Sequence, residues 1–243
     1  MAKKIFITGS SRGIGFGLAQ RFLNKGFEVL INSNNIKNLK TASKKLNNCD
    51  YYLGDVTNLK SVKKIIRKIK RDKKSIDVII CNYGNSDPKS NNLNFEHALR
   101  HNFFSAANVV DEGLKVLKKN RGKIICISSI CGIEVIKNAP IGYSLAKSLL
   151  NNYVKSMSHY LANFGVSINS IALGNILFDG SVWDKKIKKN RTKTLSQIKL
   201  NVPLNKFGNI DDIFELCSFL ALNKSQFSTG ATYTLDGGQT KKF

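Results

Sequence analysis

Lys4-Ile5-Phe6-Ile7-Thr8-Gly9-Ser10-Ser11-Arg12-Gly13-Ile14-Gly15 is the stretch that decides the fold. An apolar run of strand length ends in a turn with glycines at 9, 13 and 15, and a helical pattern follows at once. Those glycines allow a tight turn, close backbone approach to a pyrophosphate and close packing of helix on strand. The helix N-terminus adds unpaired N–H groups and a partial positive charge. Ser11, Arg12 and Ile14 complete this candidate phosphate cradle. Glycine also simply closes βα loops, so position carries the argument: dinucleotides bind at the first strand and first helix of a doubly wound sheet.

Outward from this turn, Ile- and Val-rich runs alternate with helical patterns. Strands are predicted near residues 3–8, 27–32, 50–53, 76–81, 122–128, 166–171 and 231–235. Helices are predicted near 14–25, 36–46, 59–71, 93–118, 143–163 and 210–222. Repeated βαβ units predict an α/β fold, a Rossmann-like doubly wound parallel sheet of about seven strands in a three-layer αβα sandwich. No linker or repeat divides residues 1–243, so one domain is expected. Residues 174–208 break the rhythm as a long, lysine-rich candidate substrate loop carrying Phe178 and Trp183.

Of the 243 residues, 42% are hydrophobic and 23% charged, a globular balance that excludes a disordered chain. No apolar stretch is long enough to span a bilayer. The cysteines at 49, 81, 126, 131 and 217 are odd in number, scattered and without a Cys-x-x-Cys pair, which argues against a metal site and for a reducing, cytoplasmic setting. The first strand begins too close to Met1 for a signal peptide, in keeping with that address. The formal charge of +23 raises nucleic acid as a partner. The densest basic stretch, Lys60 to Lys74, carries Val62, Ile65, Ile66 and Ile69 at helical spacing, so its lysines read as a solvated helix face and speak against that partner. A positive field also suits an anionic small-molecule substrate or an acidic carrier.

An acidic residue at the end of the second strand would select NAD. That segment reads Ile31-Asn32-Ser33-Asn34-Asn35, with no carboxylate to repel a 2′-phosphate, and Arg12 is placed to pair with one. Ser33, Asn34 and Arg12 therefore favour NADP(H); NAD(H) stays open because asparagines also suit an unphosphorylated ribose. Tyr143 and Lys147, four apart, share a helix face. A nearby ammonium stabilises a phenolate, and moving a tyrosine by about 3 pKa units takes roughly 4 kcal/mol. Ser128-Ser129 closes the fifth strand and Gly132 follows, at the sheet edge that faces the ligand crevice.

Together these residues resemble the short-chain dehydrogenase/reductase family over nearly the whole chain. The resemblance rests on Thr8 to Gly15, Asp55-Val56-Thr57, Asn102, the set Ser129, Tyr143 and Lys147, and the closing run Thr229 to Gly238. It implies hydride transfer between a nicotinamide and a carbonyl or secondary alcohol. Tyr143 would be the proton donor, Ser129 would hold the substrate oxygen, Lys147 would touch the nicotinamide ribose, and Asn102 would position a relay water. It also implies Asp55 and Val56 beside the adenine, and Asn82, Gly84, Gly174 and Ile176 along the cofactor path. Each residue taken singly has a structural reading: Asp55 as a helix cap, Asn102 as a backbone partner, Ser129 as a strand end.

Three positions depart from the family's pattern. Cys81-Asn82-Tyr83-Gly84 places a bulky ring where a small residue is usual, Leu173-Gly174 replaces Pro-Gly, and Phe178 stands where a threonine usually holds the carboxamide. Carbonyl reduction, with 3-oxoacyl-carrier-protein reduction as a candidate, is the leading expectation. The alternatives are a sugar or nucleotide-sugar dehydrogenase, with Phe178 and Trp183 stacking on the sugar, and a dinucleotide sensor without turnover. The family's habit of assembling through its fourth and fifth helices implies a homo-oligomer, tetramer or dimer.

Overall fold

The computed structural model of the chain describes residues 2–87, 92–117, 121–225 and 227–242. Strands β1 (Lys4–Ile7), β2 (Glu28–Ser33), β3 (Asp50–Leu53), β4 (Val78–Cys81), β5 (Lys123–Ser129), β6 (Ser167–Leu173) and β7 (Thr232–Leu235) form one sheet. Its order is β3-β2-β1-β4-β5-β6-β7 and every pairing is parallel. The chain starts in the middle, winds out to β3, returns to β4 and winds out the other way. The reversal between β1 and β4 opens a crevice at the strands' carboxyl ends.

The helices are α1 (Gly13–Asn24), α2 (Ile36–Lys45), α3 (Leu59–Lys73), α4 (Phe95–Leu99), α5 (Ser105–Gly113), α6 (Ile141–Ala162), α7 (Val182–Lys189), α8 (Arg191–Asn201) and α9 (Ile210–Leu222). Alternation along the strands feeds two cores. Ile5, Ile7, Val78, Ile80, Ile125 and Ile127 pack with α1, α2 and α9. Phe6, Ile79, Cys81, Ile124 and Cys126 pack with α3, α5 and α6. Such strands, buried on both faces, read as continuous apolar runs. In α3, Val62, Ile65, Ile66 and Ile69 are buried, each stabilising the fold by about 1.5–3 kcal/mol. Asn58 Oδ1 accepts from the Ser61 N–H at 3.1 Å and caps the helix; Lys60, Lys64, Lys68 and Lys70 face solvent as the periodicity predicts, whereas Lys73 turns in to pair with Glu28 and Asp50.

Two expectations need correction. The helix expected over 93–118 is three pieces: α4, a π-helical turn over Arg100–Phe104, and α5, which ends at Gly113. There a Cβ would stand 2.5 Å from Ile79 Cδ1, so glycine lets the helix touch the sheet, and the chain then turns to pair Leu117 with Ile76. The expected end of that helix, Lys118, lies outside the described residues. The expected loop over 174–208 contains α7 and α8, capped by Ser181 and Asn190. Helix α7 buries no residue and α8 only Thr194 and Ile198, so no apolar stripe announces either one.

Candidate active site

The crevice is built from the turn after β1. Thr8 Oγ1 accepts from the N–H groups of Asn82 and Tyr83 at 3.0 and 3.1 Å, and Asn82 Nδ2 donates to the carbonyls of Thr8 and Gly9 at 3.0 and 3.2 Å. These bonds fasten the end of β4 to the turn. Gly9 and Gly13 are left-handed at φ +61° and +59°. A Cβ on Gly15 would lie 2.5 Å from Asn82 Nδ2 and 2.6 Å from the Gly9 carbonyl oxygen. The N-cap of α1 is the extended, exposed Arg12, whose side chain caps nothing. Half-exposed Ser11, Gly13 and Ile14 complete the turn, so uncapped helix N–H groups and cramped glycines fit a dinucleotide pyrophosphate. The Phe178 ring covers one side, 3.2 Å from where a Gly13 Cβ would be.

Neighbouring strand ends supply the other wall. Asn32 is committed to structure: its Nδ2 donates to the carbonyls of Tyr52 and Gly54 at 2.9 and 3.1 Å. Ser33 is buried at the end of β2, Asn34 is exposed, and Asn35 caps α2. Asp55 does not cap α3, a role Asn58 fills; its Oδ1 accepts from the Thr57 N–H at 2.9 Å, and Val56 is buried in the core. On the far side Gly174 lies flush against β7, since a Cβ there would meet Asp236 Cα at 2.7 Å. Ile176 is a core residue whose side chain seals Gly208.

At the carboxyl end of β5, Ser129, Tyr143 and Lys147 come together. Ser129 Oγ accepts from the Cys131 N–H at 3.2 Å, and its hydroxyl acts on the neighbouring Tyr143. Gly132, in the 3-10 turn Ile130–Gly132, sets this approach, because a Cβ would meet the Lys147 carbonyl carbon at 2.6 Å and the Ser148 nitrogen at 2.8 Å. Lys147 is 4% exposed, its Nζ donates to the Ile127 carbonyl at 2.8 Å, and it stands 5.8 Å from the Tyr143 ring centroid.

Asn102 sits in the π turn, 1% exposed. Its Oδ1 accepts from the Asn85 N–H at 2.8 Å, and its Nδ2 donates to the carbonyls of Asn85 and Ala98 at 2.9 and 3.1 Å. Gly84 is where the groups converge: a Cβ there would lie 3.0 Å from Asn102 Oδ1 and 3.6 Å from Lys147 Nζ.

Protonation differs from the sequence expectation. Burial pushes the Tyr143 hydroxyl above its ordinary value, the Cys131 thiol adds to this, and the Ser129 hydroxyl opposes it. Burial also lowers Lys147 to about 8. The ammonium expected to acidify Tyr143 gives one of its three hydrogens to a backbone carbonyl, and both groups are desolvated. The protein itself thus keeps Tyr143 as a phenol, the form that can donate a proton.

The sequence reading assigned no role to His97 or His101. Tyr83 Oη lies 2.8 Å from His101 Nδ1, and His101 stacks on His97 with centroids 4.2 Å apart. Histidines four apart beside an aromatic residue were the available signal. Over residues 174–208, eight basic residues stand against two acidic ones. Trp183 packs on Phe207 at 5.4 Å and lies under Lys186 Nζ at 4.2 Å. Among the described residues no helix is long and apolar enough to cross a membrane, and no group of three His, Cys, Asp or Glu is placed to hold a metal.

The profile of the family described as enoyl-(acyl carrier protein) reductase matches residues 9–240. Relatives that bear the name 3-oxoacyl-(acyl-carrier-protein) reductase FabG include the following two. The protein of Rickettsia typhi is 31% identical, covering 97% of this chain and 96% of its own. That of Buchnera aphidicola from Acyrthosiphon pisum is 29% identical, covering 96% and 95%. In fold the chain is similar to the L-sorbose reductase of Gluconobacter frateurii, solved with NADPH and L-sorbose, at TM-score 0.88 and 20% identity over 100% of this chain and 98% of that one.

Proposed function

The chain belongs to the short-chain dehydrogenase/reductase family, and from that premise we propose that it is an NADP(H)-dependent reductase of 3-oxoacyl thioesters borne on an acidic carrier protein or on coenzyme A. The observation that carries the reading is the approach of Asn102 and Lys147 to Gly84, with Tyr143 beside Lys147 and Ser129 at the end of β5, next to a glycine turn that fits a pyrophosphate. The absence of a carboxylate at the end of β2 and the exposed Arg12 favour the 2′-phosphate. The basic segment over α7 and α8 suits a substrate whose handle is anionic. The relatives' names point to the same thioesters.

The dinucleotide, when bound, supplies hydride to the carbonyl carbon. The chain's own groups do the rest. Ser129 Oγ holds the carbonyl oxygen, and the Tyr143 phenol gives it a proton as the C–H bond forms, leaving a secondary alcohol and a phenolate. Lys147, its charge easily lost because it is desolvated, faces that phenolate and returns the proton, with the Asn102 neighbourhood as the route outward. Gly9, Ser11, Arg12, Gly13, Ile14 and Gly15 hold phosphates, while Ser33, Asn34, Asp55 and Val56 border the adenosine. Asn82, Gly84, Gly174 and Ile176 shape the path between the two halves. A sugar substrate is the weaker reading, because Trp183 is occupied by Lys186 and Phe207, and Phe178 by Gly13.

Exposed Phe104, Ile141, Leu145, Leu149 and Tyr160 line the π turn and α6, and this apolar stripe supports assembly with a second copy of the chain. The test is reduction of acetoacetyl-CoA followed by NADPH oxidation. Turnover that falls steeply with salt is expected; no turnover with any 3-oxoacyl thioester refutes the substrate assignment.

A further inference from the structure

A second cluster of titratable rings lies at the carboxyl end of β4. Tyr83 packs beneath the glycine turn, where a Gly9 Cβ would meet Tyr83 Cα and Cβ at 3.0 Å. Its hydroxyl engages His101 Nδ1 at 2.8 Å, which leaves Nε2 for another partner. His101 is backed by His97, whose ring stacks on it at 4.2 Å. The charged neighbours are distinct on each side. Asp55, from the end of β3, acts on both Tyr83 and His101; Arg12, from the glycine turn, acts on Tyr83; His97 and Arg100, from α4 and the π turn, act on His101. His101 is thus joined through Tyr83 to the end of β4 and to the glycine turn after β1, the edges that enclose the nucleotide half of a crevice at this sheet's switch point.

We infer that His101, oriented by Tyr83 and backed by His97, contacts the adenosine half of the dinucleotide and, once protonated, gives this anionic ligand an added cationic contact, so that affinity rises as pH falls. The inference rests on the cofactor reading above. Burial, His97 and Arg100 hold the imidazole below its ordinary value against the pull of Asp55, so the free protein carries it neutral near pH 7. Phosphate charge favours the protonated form, and by linkage the proton favours the ligand to the same degree. One positive charge a few ångströms from several negative ones in a half-exposed site corresponds to a change of about 3- to 10-fold in affinity.

The experiment is a fluorescence titration of NADPH against the wild-type chain and His101→Gln, from about pH 5.5 to about pH 8.5, at fixed ionic strength. The 2′-phosphate titrates near pH 6 in its own right, but equally for both proteins, so the quantity read is the ratio of the two Kd values. A ratio that grows about 3- to 10-fold toward acid, variant weaker, is the expected result. A ratio constant with pH overturns the inference while leaving the cofactor reading intact. No NADPH binding by the wild type at any pH refutes the cofactor reading and the inference with it. His97→Gln keeps the Tyr83–His101 pair and removes a like-charged neighbour. It moves the wild-type transition to higher pH, and an unmoved transition overturns the part assigned to the stack, even where His101→Gln fails to fold.

Discussion

Replacing Gly132 by alanine adds one methyl group at the most tightly constrained joint of the site. The new Cβ would stand 2.6 Å from the Lys147 carbonyl carbon, 2.8 Å from its oxygen and 2.8 Å from the Ser148 nitrogen. All three atoms belong to the backbone of α6, so no side chain can rotate away. Ordinary contact begins near 3.4 Å, and relief of the clash therefore separates the 3-10 turn from α6 by about 0.8 Å. Overpacking of this kind costs about 1–3 kcal/mol, read as a fall in Tm of about 2–4 °C per kcal/mol in a chain of this size. The same displacement pulls Ser129, on the strand side, from Tyr143 and Lys147, on the helix side. A misplacement of about 1 Å between reacting groups costs on the order of 100-fold in rate. The expected signature is a kcat about 100-fold down with NADPH affinity nearly unchanged, since the glycine turn lies elsewhere. Gly26→Ala is the control: its Cβ meets nothing within 4 Å, but φ of +85° strains it. It loses stability, about 1–2 kcal/mol, without losing kcat. Gly132→Ala with a kcat within about threefold of wild type refutes the claim that this glycine sets the catalytic spacing.

Tyr143→Phe is expected to lower kcat by at least about 100-fold while NADPH titrates as in the wild type; retained turnover would exclude Tyr143 as proton donor. Arg12→Ala is expected to reduce the preference for NADPH over NADH about tenfold through loss of the 2′-phosphate contact, and an unchanged ratio of the two Kd values would move that contact elsewhere. Lys147, lowered from 10.5 to about 8, binds fewer protons folded than unfolded between those values, so it makes stability rise with pH across that window. The difference in unfolding free energy between the wild type and Lys147→Met should therefore shift in favour of the wild type from about pH 8 to about pH 10.5, and a difference flat in pH would contradict the depressed lysine.

How much of this was legible depends on what each residue packs against. The strands were readable because Ile5 to Ile7, Val78 to Cys81 and Ile124 to Ile127 are buried on both faces and appear as unbroken apolar runs. The Gly9, Gly13 and Gly15 turn was readable because its backbone conformation and close contacts admit little else. Spacing alone put Tyr143 and Lys147 on one face of α6, and the structure brings Ser129 to them. Helices α7 and α8 were invisible because helices that bury almost nothing leave no stripe. The competition for the Lys147 ammonium also escaped, since the carbonyl that takes it belongs to Ile127, twenty positions away. The His97–His101 stack is a local pair four residues apart, but its contact with Tyr83 depends on a tertiary approach between β4 and the π turn that no local pattern encodes.

The π turn at Arg100–Phe104 behaves like a frameshift written into a helix. A π turn holds one residue more than an α turn, so everything after it is rotated by about 100° relative to a regular helix. Deleting Phe103 or Phe104 would restore a regular helix and improve its local hydrogen bonding, yet it would displace Asn102 from Gly84 and His101 from Tyr83. Sequence variation here is therefore asymmetric: substitutions can be absorbed one at a time, whereas a change of length of a single residue dismantles both ends of the crevice at once.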